Sequence, residues 1–206
     1  MLVTHSRSGG MGWTVAMKNP RIRAVVSYEP GSGFVFPGGE VPPAMPSATG
    51  PLEGIAVPKD ELAKLTRIPI DVCYRDNIPI EPSKHFGEDN WRVRLAMARL
   101  WTEVINRHGG NATLVHLPDT GVRGNAHFPS AELNNFQIAD LMSAYLAKIG
   151  LDWPRVRRQS ASAKRRKPLW AGQRPRHASV RLVVSSTARL RCAVVLSGRD
   201  RSTVLA

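Results

Sequence analysis

The chain begins with a short apolar run, Leu2-Val3-Thr4-His5, that meets Ser6 among small residues and passes straight into Gly9-Gly10-Met11-Gly12 and a helical stretch. A strand that turns so abruptly into a helix constrains the fold severely. The turn lifts one side chain clear of the sheet, and its neighbours must be small for the helix to fold back over the strand. Thr4, Ser8, Gly9 and Gly10 meet that demand, so Ser6 reads as a hydroxyl held on a nucleophile elbow. Thr4 and Ser8 stand where the common form of such an elbow has glycines.

The rest of the chain says which sheet the elbow serves. After a helix over 9–18, closed by Asn19-Pro20, the β-branched run Ile22 to Tyr28 reads as a second strand ending at Glu29-Pro30-Gly31. Ile68 to Tyr74 and Ala112 to Leu117 read as a third and a fourth. Between and after them come a short helix over 60–66 and a long one over 91–108, with Trp91, Leu95, Leu100, Trp101, Val104 and Ile105 at helical spacing. A last helix over 136–149 is built on Ile138, Leu141, Met142, Tyr145 and Ile149. Strand and helix alternate, which predicts an α/β fold with a parallel sheet covered on both faces. Residues 31–58, with Pro37-Gly38-Gly39 and Pro42-Pro43, show no periodicity and read as a long irregular insertion.

Charge divides the chain in two. The net charge is +13, yet residues 1–153 hold as many acids as bases. The whole excess lies in 154–206, where fourteen basic residues face one acid, Asp200. We therefore expect a folded domain over 1–153 and a basic, disordered tail over 154–206, in which only Val183-Val184 and Val194-Val195-Leu196 suggest weak strands. Cys73 lies in a strand and Cys192 in the tail, so no disulfide framework is implied. No apolar run reaches the roughly 18 residues of a membrane helix, and the first residues lack the order of a secretion signal. The compartment stays open.

A serine becomes a nucleophile when a base takes its proton and an acid orients that base. His127 is the candidate base, in a glycine-rich loop between the fourth strand and the last helix. The other histidines have blander readings: His5 under the elbow, His116 within a strand, His108 at a helix end, His85 in a loop and His177 in the tail. Two acids follow strands at the edge where ligands gather in parallel sheets, Glu29 and Asp76. Asp60, Glu61, Glu88, Asp89 and Glu132 read as helix caps and solvated charges. No metal and no organic cofactor is called for.

Four stretches together carry a resemblance: Thr4-His5-Ser6-Arg7-Ser8-Gly9-Gly10, Ser27-Tyr28-Glu29-Pro30-Gly31, Trp91-Arg92-Val93-Arg94-Leu95-Ala96 and Gly124-Asn125-Ala126-His127-Phe128-Pro129. They resemble a bacterial serine esterase group of the α/β-hydrolase superfamily, over about residues 1–153. The resemblance implies Ser6 as nucleophile, His127 as base and the backbone N–H of Arg7 as one oxyanion donor. It puts the acid at Glu29, with Asp76 at the more usual superfamily position as the alternative. It implies a small-molecule ester as substrate; the lack of a long apolar run gives no membrane partner, and the position of 31–58, where such enzymes place lids, makes Phe34 and Phe36 expected pocket residues.

In that group the elbow stands mid-chain, behind further strands and a loop with a second oxyanion donor. The chain therefore reads as the C-terminal half of the hydrolase fold, truncated, with the edge of its first strand open to self-association. Two other readings stand beside an active esterase. One is an inactive remnant with an out-of-frame tail. The other is a tail that binds nucleic acid or another polyanion through its basic residues, although Trp170 is its one aromatic for base stacking.

Overall fold

A computed structural model of the chain describes residues 1–152. The tail, with Trp170, Cys192 and the two suggested weak strands, lies outside the described residues. In chain order the elements are β1 (Leu2–His5), α1 (Gly9–Lys18), β2 (Val25–Tyr28), β3 (Val35–Pro37), β4 (Ile55–Val57), α2 (Lys59–Leu65), β5 (Pro69–Tyr74), α3 (Phe86–Arg107), β6 (Asn111–His116) and α4 (Asn135–Lys148). A 3-10 turn over Ser6–Ser8 joins β1 to α1, and two more, Leu117–Thr120 and Pro129–Ala131, lie between β6 and α4. The fold is α/β. Four parallel strands pair in the order β1-β2-β5-β6.

Alternation along the strands assigns each residue a face. On β5, Ile70, Val72 and Tyr74 join the cluster that holds Trp13 of α1, Leu62 and Leu65 of α2, and Met97, Trp101 and Ile105 of α3. Cys73 joins the smaller cluster with Leu117, Ile138 and Leu141, under α4. Register carries the division across the sheet: Val25 pairs with Ile70, and Tyr28 with Cys73. The helix after the elbow can lie this close because of its glycines. A Cβ on Gly9 would sit 2.4 Å from Pro30 Cβ, and one on Gly10 2.6 Å from the Ser32 carbonyl oxygen.

The insertion corrects the sequence reading in two ways. It is ordered: β3 and β4 pair in parallel, Val35 with Ile55 and Pro37 with Val57. A three-residue strand whose partner lies about twenty residues away leaves no local period to detect. Phe34 and Phe36 also do not line a pocket. Both are fully buried, and Phe34 packs on Trp13 and Trp101 with ring centroids 5.7 and 6.0 Å away. The same two tryptophans hold the insertion by hydrogen bonds, Trp13 Nε1 to the Gly33 carbonyl and Trp101 Nε1 to the Val35 carbonyl at 2.9 Å.

Asp89 is a further correction, since it is 5% exposed rather than solvated. It accepts from the N–H groups of Ala48 (2.8 Å) and Ser83 (3.2 Å) and from Arg92 Nε (2.7 Å), tying the insertion to α3. Those bonds hold its carboxyl below the usual range, with Arg92 the largest cause. The helix starts at Phe86 rather than at 91, because its first turn is polar and shows no apolar spacing. No helix among the described residues is long and apolar enough to cross a membrane.

Candidate active site

Three strand ends or loops converge at one edge of the sheet. Ser6 leaves β1 with φ of +56°, a left-handed conformation that costs a residue with a side chain on the order of 1–3 kcal/mol. Its neighbours hold it there. The His5 main-chain N–H donates to Ser8 Oγ (2.9 Å), the Ser8 hydroxyl donates to the His5 carbonyl (2.7 Å), and Gly31 N–H donates to the Ser6 carbonyl (3.1 Å). Arg7 stands within the 3-10 turn, at the N-terminal end of the helical run, where backbone N–H groups lack intrahelical acceptors.

Glu29 follows β2, also left-handed (φ +50°), and is 0% exposed. Arg75, just past the end of β5, clamps it: the main-chain N–H donates to Oε1 and Nη1 donates to Oε2 at 2.8 Å. Burial pushes this carboxyl up to about 7, against the opposing pull of the Arg75 hydrogen bonds and charge.

His127 bridges the two. Its Nε2 lies 2.9 Å from Ser6 Oγ and its Nδ1 3.3 Å from Glu29 Oε2. When Glu29 is ionised its carboxylate only accepts, so Nδ1 then carries the proton and Nε2 is the acceptor for the serine hydroxyl. The ring stands among His5, Trp91 and Phe128, with centroids 4.7, 4.6 and 5.1 Å away. Desolvation, then the charges of His5 and Arg75, lower its pKa to about 4, so the imidazole is neutral at physiological pH.

The loop that delivers His127 is held by polar ties. Asp76 Oδ2 accepts from Gly124 N–H (3.1 Å), and Oδ1 accepts from Asn77 N–H (2.7 Å). Buried Asn125 and half-buried Asn134 exchange side-chain bonds at 2.8 and 2.9 Å, and His5 Nε2 donates to the His127 carbonyl at 2.7 Å. Of the two candidate acids, then, Glu29 lies at the imidazole and Asp76 at the base of its loop. His116 and His108 pair with Asp119 and Glu40, at 3.4 and 2.9 Å.

Sequence reasoning does not single out Arg75, and it reads Trp91 only as part of a helix face. The contact of Arg75 with Glu29 follows from the β2–β5 register, which brings the two strand ends side by side. Trp91 fits the apolar stripe of α3 but stands in its first turns, against His127 and with the guanidinium groups of Arg75 and Arg94 5.0 and 5.3 Å from its ring. Beside Ser6 opens a cleft of about 560 Å3, bordered by Arg7, Gly31, Ser32, Trp91 and Arg94. A larger groove, about 730 Å3, runs between β1 and α4; His5 borders it and Ser6 does not.

No protein-family model matches the chain, and no curated protein does. Among solved structures, one reported as the atomic-resolution structure of a novel bacterial esterase is similar, at 29% sequence identity and a TM-score of 0.53. The match covers 72% of this chain and 38% of that one, so the chain spans well under half the length of that esterase. At the level of fold the chain is esterase-like.

Proposed function

We propose that residues 1–153 carry a serine hydrolase site for carboxylic esters of small molecules. The observation behind this is the unbroken chain of contacts from Ser6 Oγ through the His127 ring to buried Glu29. Ser6 Oγ attacks the ester carbonyl carbon while His127 Nε2 takes its proton, and the carbonyl oxygen becomes an oxyanion facing the Arg7 backbone N–H. Collapse breaks the bond to the alcohol oxygen, which leaves with the proton from His127. Water then attacks the acyl-serine, giving its proton to His127. The second collapse returns that proton to Ser6 Oγ and releases the carboxylic acid. Glu29 orients the imidazole and offsets the charge it gains, as carboxylates do in such triads. The test is hydrolysis of 4-nitrophenyl butyrate by the full chain beside Ser6→Ala. Turnover abolished by that change is expected; turnover that survives it would overturn the assignment.

A further inference from the structure

The cleft that opens beside Ser6 is lined by two cationic side chains and no acidic one. Arg7 is exposed, so water screens its charge. Arg94 is half-buried; burial lowers its pKa, and the group that opposes this is the Tyr74 phenol rather than a carboxylate. Glu29 pairs with Arg75 and Asp89 with Arg92, and Glu88, next to cleft-lining Gly87, accepts from the Ser83 hydroxyl at 2.9 Å. Among the described residues Arg94 has no ion-pair partner.

Its guanidinium is nevertheless positioned. Nη1 donates to the Asn90 carbonyl at 2.8 Å, and the group lies 5.3 Å from the Trp91 ring centroid. That bond uses one of its five donors, which leaves a planar fork of the kind that matches a carboxylate. Gly31 borders both the guanidinium and the elbow. A Cβ there would lie 3.5 Å from Arg94 Nε and 3.9 Å from the Ser6 carbonyl oxygen. A half-buried cation without a counter-charge, held on an aromatic face in the cleft of the nucleophile, invites an anion brought by the ligand.

We infer that this cleft selects esters bearing a second, free carboxylate, which Arg94 binds while Ser6 meets the ester carbonyl. The inference rests on the esterase reading for its chemistry, but the anion site can be read without catalysis. The direct test compares kcat/KM for monoethyl adipate and for ethyl hexanoate, followed by pH-stat on the full chain. The wild type is expected to prefer the adipate half-ester, and Arg94→Met to cut the ratio of the two constants by about 10- to 100-fold. Arg94→Lys keeps the charge without the fork and is expected to retain part of the preference. It also serves if Arg94→Met does not fold, in which case a ratio lowered by about threefold or more is expected.

An unchanged ratio in these variants, or a wild type that prefers the neutral ester, would overturn the inference. Binding of adipate, read from tryptophan fluorescence, separates the two levels. No turnover of either ester, with adipate binding that weakens in Arg94→Met, would leave the anion site standing and remove the esterase reading. No turnover and no adipate binding would remove both.

Discussion

On the side of the sheet covered by α1, α2 and α3, Trp13, Phe34, Phe36, Ile70, Tyr74 and Trp101 have no exposed surface, whereas on the α4 side only Ile138 of the helix is buried. Phe136 of α4 is 81% exposed, Val3 of β1 46%, and grooves of about 730 and 220 Å3 run beneath the helix. Ser6 and Glu29 are backed by the dense face: α1 sits at glycine distance on Pro30 and Ser32, and the Tyr74 hydroxyl donates to the Pro30 carbonyl at 2.7 Å. His127 reaches them from the looser side on hydrogen-bonded tethers. Ser6 and Glu29 thus have dense packing behind their hydrogen bonds, whereas His127 is held mainly by polar ties.

Removing the Glu29 charge should have the largest effect of these changes. Glu29→Gln removes the charge opposite the imidazole and should lower kcat/KM by about 10³–10⁴-fold, measured on 4-nitrophenyl butyrate. Next comes the dense face. Trp101→Ala should cost about 3–5 kcal/mol in urea unfolding, and Ile138→Ala, beside the grooves, about 2 kcal/mol. Equal costs would erase the contrast between the faces. The tethers should matter for rate more than for stability. Asp76→Ala and Asn134→Ala each loosen the His127 loop and should lower kcat/KM roughly tenfold, with little change in the urea midpoint.

The smallest effects are in pH. With Glu29 near 7 and His127 near 4, the carboxyl is the group that titrates near neutrality. Activity should fall as pH drops below about 7, because protonated Glu29 no longer offsets an imidazolium. Stability should run the other way. The folded state holds the Glu29 proton more tightly than the unfolded chain between its ordinary 4.5 and about 7, so stability is lost as pH rises through that window. Asp71, raised by burial from 3.8 to about 6, adds the same sign at lower pH. Unfolding measured against pH for Glu29→Gln and Asp71→Asn should show flatter curves in the respective windows.

Much of the fold is legible in the sequence because its signals are local. Each strand of the main sheet falls in a short apolar run, and Ser6 and Glu29 stand directly after the ends of two of them. What escapes detection depends on pairing between distant segments. β3 finds β4 across a proline-rich stretch, Asp89 is buried by main-chain groups of Ala48 and Ser83, and Arg75 meets Glu29 only once β2 and β5 are in register. Trp91 shows the limit of periodicity, which marks a buried face without naming the imidazole that lies on it.

The central claim is that neutral His127 activates Ser6, and covalent labelling tests it most directly. The full chain is treated with a fluorophosphonate and the modified peptide identified by mass spectrometry. Labelling at Ser6 that disappears in His127→Ala is the expected result. Labelling at another serine, or labelling of Ser6 that survives the loss of His127, would contradict the account.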